Sequence, residues 1–194
     1  MLKKDDLCFH LRSGLVGTSL QKTSNPRFRM AAVLVIIHYS HKIPHVIMIK
    51  RNQKLRAHRG EIAFPGGVFS NQDRSLNDTA IRETREELGL EFKEKSIIGR
   101  LHSVRTLTSN YCIVPFVTVQ DRILEPQILI DEVEKLIDAP LIDLLLTVQI
   151  DLEHRNASHD ALYRFTHGNE IIWGATARVL KQLYDCLPLD QIKR

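Results

Sequence analysis

The sequence predicts an α/β fold in which a mixed sheet carries helices on both faces. Three features predict it. Two long apolar runs rich in β-branched residues, MAAVLVIIH (30–38) and HVIMIKR (45–51), read as buried strands. A run ending in RETREELGL reads as an acidic helix. Strands and helices then mingle along the chain without the strict alternation that builds an all-parallel sheet.

Residues 1–18 form a short amphipathic helix that ends near Gly14 or Gly17, and the polar stretch SLQKTSNPRF (19–28) is a loop. Met30–His38 and His45–Arg51 are strands joined by a hairpin around Lys42-Ile43-Pro44. Glu61–Phe64 is a short strand entering a Phe-Pro-Gly-Gly turn. Ser75–Leu88 is the acidic helix; Asp73, Ser75 and Asp78 are alternative N-caps, and Gly89 is its stop. Ile97–Thr106 and Cys112–Gln120 are two more strands, joined across Ser109-Asn110. Val133–Leu146 has apolar residues at helical spacing, interrupted by Pro140. Leu162–Thr166 and Glu170–Trp173 flank a His167-Gly168-Asn169 hairpin turn. Gly174–Leu187 is a final helix ended by Pro188, and Trp173 reads as core.

Composition narrows the classes. With 194 residues, 43% of them hydrophobic and 26% charged, the chain has the make-up of one soluble globular domain. Its net charge is +4, and its basic residues are dispersed apart from one cluster: Lys50, Arg51, Lys54, Arg56, His58 and Arg59. No aromatic-interleaved basic stripe points to nucleic acid, and no apolar run points to a membrane span. Cys8, Cys112 and Cys186 are too scattered for a zinc or CxxC motif, so reduced thiols in the cytoplasm are expected, with Cys112 buried in a strand. MLKKDDLCFHL lacks the apolar region of a secretion signal. Ser103, Ser109 and Ser158 lack a Gly-x-Ser-x-Gly context, which argues against a serine hydrolase.

The chemistry is concentrated in residues 60–90. Glu83, Glu86 and Glu87 are spaced i, i+3, i+4, which puts three carboxylates on one helix face. Such charge runs are more often solvated faces than sites. Here, however, the run follows a Pro65-Gly66-Gly67 turn whose backbone can approach a ligand closely, and the basic cluster precedes it. Hard oxygen ligands suit Mg²⁺ or Mn²⁺. The organised sequence of strand, glycine turn, loop and acidic helix points to a divalent-metal site acting on a diphosphate.

These residues resemble the Nudix box: Gly, five residues, an acid, then Arg-Glu, two residues, Glu-Glu, one residue and Gly. Gly67 begins it, and Arg82-Glu83, Glu86-Glu87 and Gly89 complete it. The acid falls at Asp73, so the stretch from it to Arg82 is one residue longer than the general pattern. That variation is similar to the coenzyme A diphosphatase branch. The upstream block RNQKLRAHRGEIAFPGG (51–67) resembles the same branch through Arg51, Arg56, Gly60 and Phe64-Pro65-Gly66-Gly67, with Asn52 and Ile49 as departures from its motif. The stretch Tyr111–Val117, with Pro115-Phe116, and the late IIWGATARVL also look like that branch.

The resemblance implies a Nudix-like α/β/α sandwich over residues 28–190, with residues 1–27 a preceding helix and loop. It implies a metal-dependent diphosphatase that splits coenzyme A or its derivatives into 4′-phosphopantetheine (or its acyl form) and 3′,5′-ADP. Alternatives are another nucleoside diphosphate substrate such as ADP-ribose, or a ligand-binding module without catalysis. In this reading Glu83, Glu86, Glu87 and the Gly67 carbonyl hold Mg²⁺ or Mn²⁺, and Arg82 orients Glu83. The general base stays open among Glu83, Glu86 and Glu132; a helix-terminal carboxylate is an equal reading of Glu132. Arg51, Arg56 and His58 are substrate-side candidates, His58 serving equally as a support for its turn. The expected partner is a small nucleotide, with a second copy of the chain as a further candidate.

Overall fold

The computed structural model describes residues 2–18, 28–54, 58–106, 109–128, 131–152 and 162–192. The expected loop at 19–28 falls almost wholly outside them.

The chain opens with helix α1 (Lys4–Gly14) and continues through strands β1 (Arg29–Ser40), β2 (Ile43–Arg51), β3 (Ile62–Ala63) and β4 (Gly66–Val68). Helix α2 (Leu76–Leu88) follows, then β5 (Ile97–Arg100), β6 (Val104–Arg105), β7 (Tyr111–Gln120) and β8 (Val133–Pro140). A short helix α3 (Leu141–Leu145) leads to β9 (Gln149–Ile150), β10 (Tyr163–His167) and β11 (Glu170–Ile172); helices α4 (Gly174–Cys186) and α5 (Leu189–Ile192) complete the order.

The main sheet runs β3-β2-β1-β7-β5, with β8 on β2, β4 on β1 and β6 on β7. It is mixed: β1 pairs antiparallel with β2 and β4 but parallel with β7. Alternation along β1 sorts its side chains onto two faces. Ala32, Leu34 and Ile36 pack with Ile47, Ile49, Phe116 and the α2 residues Ala80 and Leu88. Val35 and Ile37 pack on the other face with Met48, Leu7 and Leu11 of α1, and Val179, Leu180 and Leu183 of α4. Helices therefore cover both faces, as expected. Each fully buried Leu or Ile contributes about 1.5–3 kcal/mol through removal from water. Trp173, expected in the core, is half-buried at the start of α4.

Two expectations are corrected. Val133–Leu146 is not a helix interrupted by Pro140 but strand β8 followed by the short α3. A register shift opposite Lys50/Arg51 lets Val133 face the α2 side while Ile137 and Ala139 face the other core. That irregularity breaks the alternation and leaves an apolar spacing that imitates a helix. The single strand expected at Ile97–Thr106 is two strands. Between them the His102 backbone leaves the sheet and is held by Gln182 of α4, which accepts from His102 N–H at 2.8 Å and donates to its carbonyl at 3.0 Å. Cys112 lies in a strand but is only partly buried.

Candidate active site

The site is assembled where β1 divides one edge between two partners. Ile36–Ser40 pairs with β2, whereas Ala31–Val33 pairs with β4. The junction is bridged by Leu34 N–H, which donates to the Pro65 carbonyl at 2.8 Å. A Cβ on Gly66 would collide with the Ala32 carbonyl and Val33, and its φ of 151° is open to glycine. This close approach carries Gly66 and Gly67 against α2.

Helix α2 starts and stops where the sequence indicates. Ser75 accepts from Asp78 N–H as the N-cap, and Gly89, at φ 65°, is the left-handed C-cap. Of the three candidate caps, Ser75 does the capping. Asp73 instead anchors Arg82: Nε donates to Oδ1 at 2.8 Å and Nη2 to Oδ2 at 3.0 Å. Thr79 Oγ1 at 2.9 Å and Ser70 N–H at 3.0 Å complete the cradle of Asp73. The Arg82 bonds hold the Asp73 carboxyl down at about 2 despite its burial. Arg82 then extends Nη1 to 2.9 Å from both Glu83 Oε1 and Glu86 Oε2.

The inner face of α2 is different. The Glu87 side chain is only 2% exposed. Its Oε2 accepts from Gly66 N–H at 2.9 Å, and Arg51 Nη1 stands 3.9 Å from its Oε1. Burial pushes the Glu87 carboxyl up to about 8, opposed by Gly66 and Arg51 and reinforced by the charges of Glu83 and Glu132. Burial also raises Glu83, with Arg82 opposing and Glu86 and Glu132 adding. Glu83 lies against β4, since a Cβ on Gly67 would strike its carboxyl group. Glu86 is about half exposed, at 48%.

The three glutamates share a ridge but not a single point. Among the described residues, no set of one oxygen from each of the three lies mutually within 4.8 Å. Glu83 and Glu86 share Arg82, whereas Glu87 is drawn to Gly66 N–H and Arg51. The donor set is nonetheless suited to a hard divalent cation. It is all oxygen, it includes a nearly dehydrated carboxylate beside two others, and the missing Cβ of Gly67 leaves the space that the Glu83 carboxyl occupies.

The remaining sequence candidates divide. Arg51 reaches Glu87, and among the described residues its buried Nε has no hydrogen-bond partner. His58 turns inward to Glu61, Nδ1 to Oε2 at 3.0 Å, in a tight turn where its own φ is 54°. Arg56 lies outside the described residues, as does Ser158. Glu132, in a turn before β8, accepts through its backbone from Asn52 N–H at 2.9 Å. A cleft lined by Gln72, Asp73, Ile81, Arg82, Arg85 and Phe92 lies on the flank of α2 and takes in neither Glu83 nor Glu87. Two contributors were missed in the sequence: Asp73 as the anchor of Arg82, and the Gly66 N–H as the partner of Glu87. The acid at the fixed offset from Gly67 was a signal for the first. The second depends on a tertiary approach.

A family model of the NUDIX domain matches residues 28–157. The chain belongs to the Nudix family. The curated relatives agree. Proteins described as uncharacterized Nudix hydrolase NudL from Photorhabdus laumondii and Pectobacterium atrosepticum are each 32% identical, over 158 and 161 residues. Each alignment covers 80% of this chain, and 83% and 81% of the respective relatives. Solved Nudix structures share the fold. A MutT/nudix family protein from Enterococcus faecalis is 14% identical with a TM-score of 0.56, covering 95% of this chain and 74% of that one. A NUDIX hydrolase from Alicyclobacillus acidocaldarius is 21% identical with a TM-score of 0.54, covering 82% and 92%. The expected activity class, a Nudix pyrophosphohydrolase, stands on the family match and these relatives. Among the described residues no helix of this Nudix chain is long and apolar enough to cross a membrane.

Proposed function

We propose that this Nudix hydrolase cleaves the diphosphate of coenzyme A or its derivatives, giving 4′-phosphopantetheine, or its acyl form, and 3′,5′-ADP. The observation that carries the reading is the meeting of two sequence blocks. Arg51, from the block resembling the coenzyme A branch, stands 3.9 Å from Glu87 of the acidic ridge. That proximity supports a joint role, Arg51 for phosphate and Glu87 for a cation.

Glu83, Glu86 and Glu87, with the Gly67 carbonyl, are the residues to hold Mg²⁺ or Mn²⁺. A bound cation would neutralise diphosphate charge and lower the pKa of a coordinated water. Arg82 fixes the directions of Glu83 and Glu86, itself fixed by Asp73, so that the acids need little reorganisation as charge develops. Glu87 is held by Gly66 N–H in a nearly dry position, where its charge acts with little screening. Glu83 and Glu86 are the candidates to accept a proton from water. Burial raises the basicity of Glu83, whereas Glu86 is open to solvent through which a proton can leave. Arg51 binds a phosphate oxygen, and Arg56 is a second candidate for that task. The site is proposed to work in the cytoplasm on a small nucleotide.

The test is a panel of coenzyme A, acetyl-coenzyme A, oxidised coenzyme A and ADP-ribose, with Mg²⁺ or Mn²⁺ and product identification. Appearance of 3′,5′-ADP with 4′-phosphopantetheine is expected. Efficient cleavage of ADP-ribose with every coenzyme A species left intact would reject the substrate assignment.

A further inference from the structure

We propose a second metal site in this chain, a borderline transition-metal site of Zn²⁺ type formed by His38, His45 and Asp138. Their ligand atoms all lie within 4.8 Å of one another. His38 Nε2 is 2.9 Å and His45 Nδ1 is 3.1 Å from the same oxygen, Asp138 Oδ1.

The register explains why they meet. His38 is directly opposite His45 across the β1–β2 pair, and Asp138 on β8 is opposite Ile47, one in-face step along β2 from His45. All three therefore point to the same face of the sheet. On that face β1 presents Ala32, Leu34 and Ile36 to the core, and β2 presents Ile49 and Ile47. The next in-face position on each strand is a histidine, and β8 supplies the carboxylate. Three adjacent strands thus each contribute one ligand at the end of an otherwise apolar stripe. All three lie on hydrogen-bonded strands and not on loops, which suits a metal centre.

The donor chemistry differs from that of the acidic ridge. Two imidazoles and one carboxylate match Zn²⁺ or Co²⁺, which take nitrogen ligands readily, and not Mg²⁺, which favours oxygen. The side chains are 7%, 17% and 39% exposed for His38, His45 and Asp138, so the cluster is closed on the protein side and open at the carboxylate. That opening admits water as a fourth ligand. The present bonds require each coordinating nitrogen to carry a proton. In neutral imidazoles that proton moves to the other ring nitrogen when the metal binds, leaving a lone pair at His38 Nε2 and His45 Nδ1. The site is independent of the ridge: His38 is six residues along β1 from Ala32, the partner of Gly67, or roughly 20 Å at strand rise. Its proposed role is to tie β1, β2 and β8 together.

The experiment uses the full chain, stripped of metal and then held in excess Mg²⁺ while Zn²⁺ or Co²⁺ is added. About one equivalent of zinc per chain is expected to survive desalting, with the visible absorption of four-coordinate cobalt in the parallel titration and a higher Tm in both. Asp138→Asn and His45→Gln should abolish the absorption and the Tm gain, and Glu83→Gln should leave both in place. Because a variant can lose metal by misfolding, a crystal of the unaltered protein soaked in zinc gives a second measure: an anomalous peak about 2.0–2.2 Å from both imidazole nitrogens is expected. The proposal is overturned if no zinc is retained beside Mg²⁺, if that peak is missing, or if Glu83→Gln removes the cobalt signal.

Discussion

Two buried carboxylates on either side of α2 have opposite fates. Asp73 is enclosed by Arg82, Thr79 and Ser70, and its proton affinity is driven down to about 2. Glu87 is buried beside one backbone N–H, the Arg51 guanidinium at the longer distance of 3.9 Å, and other acids, and its affinity is driven up to about 8. The same burial serves two purposes because the neighbours differ. A carboxylate that is fully paired becomes a fixed part of the scaffold, whereas one left short of positive charge keeps a demand that a ligand can meet. Arg82 joins the two, since it is anchored to Asp73 and aimed at Glu83 and Glu86.

Exchanging the charge at each position is the sharpest way to break this contrast. Glu87→Gln should lower kcat/KM by about 10³-fold, the effect expected if its proposed cation-holding role is lost, while leaving the metal-free protein as stable as before or more so. Asp73→Asn should do the reverse. Stability measured by urea denaturation should fall by about 3 kcal/mol, because Arg82 loses its buried partner, while turnover falls by about 10-fold through misdirected glutamates. Equal activity losses in the two variants would remove the distinction. Gly67→Ala comes next. This residue lies in β4 without a left-handed φ, so the added methyl burdens the Glu83 carboxyl and not the backbone; a loss of about 10²-fold in turnover with little change in Tm is expected.

The pH dependence of the metal-free protein sharpens the contrast further. Between the ordinary 4.5 and about 8, folded Glu87 retains a proton that the unfolded chain has released, so stability falls as pH rises through that window. For Asp73 the sign is opposite. Its contribution is present above 3.8 and is lost as pH falls towards about 2. Denaturation in EDTA from pH 5 to pH 9 should show the alkaline decline in the unaltered protein and its flattening in Glu87→Gln. Thr79→Val, which deletes one bond to Asp73 from a fully buried position, should cost about 1 kcal/mol. The smallest effect is expected from Arg74→Ala. Its pair with Asp78 is exposed on the arginine side, and no measurable shift in Tm should follow.

The parts legible in the sequence were those governed by local rules. Ser75 and Gly89 bracket α2 because a capping hydroxyl and a left-handed glycine act within one turn of chain. The buried runs of β1 and β2 were legible because a central strand covered on both faces needs continuous apolar residues. β8 was misread because its bulge against β2 replaces period-two alternation with a spacing found in helices. The acid ridge was visible from three glutamates at helical spacing, but the bond from Gly66 to Glu87 spans 21 residues and exists only once β4 has docked on β1. Likewise Arg82 was matched to its neighbour Glu83, while its strongest partner is across the loop at Asp73.

The docking of α1 has a consequence for how the molecule is made. Leu7 and Leu11 have no exposed surface, and they share a core with Val179, Leu180 and Leu183 of α4. Gly14 sits so close to Cys186 that a side chain there would meet its sulfur. Helix α1 therefore completes its packing only once α4, about 160 residues further along the chain, is in place. Until residues 174–186 are in place, Val35, Ile37 and Met48 have no complete cover, so the core on this face closes through a contact between segments far apart in the chain.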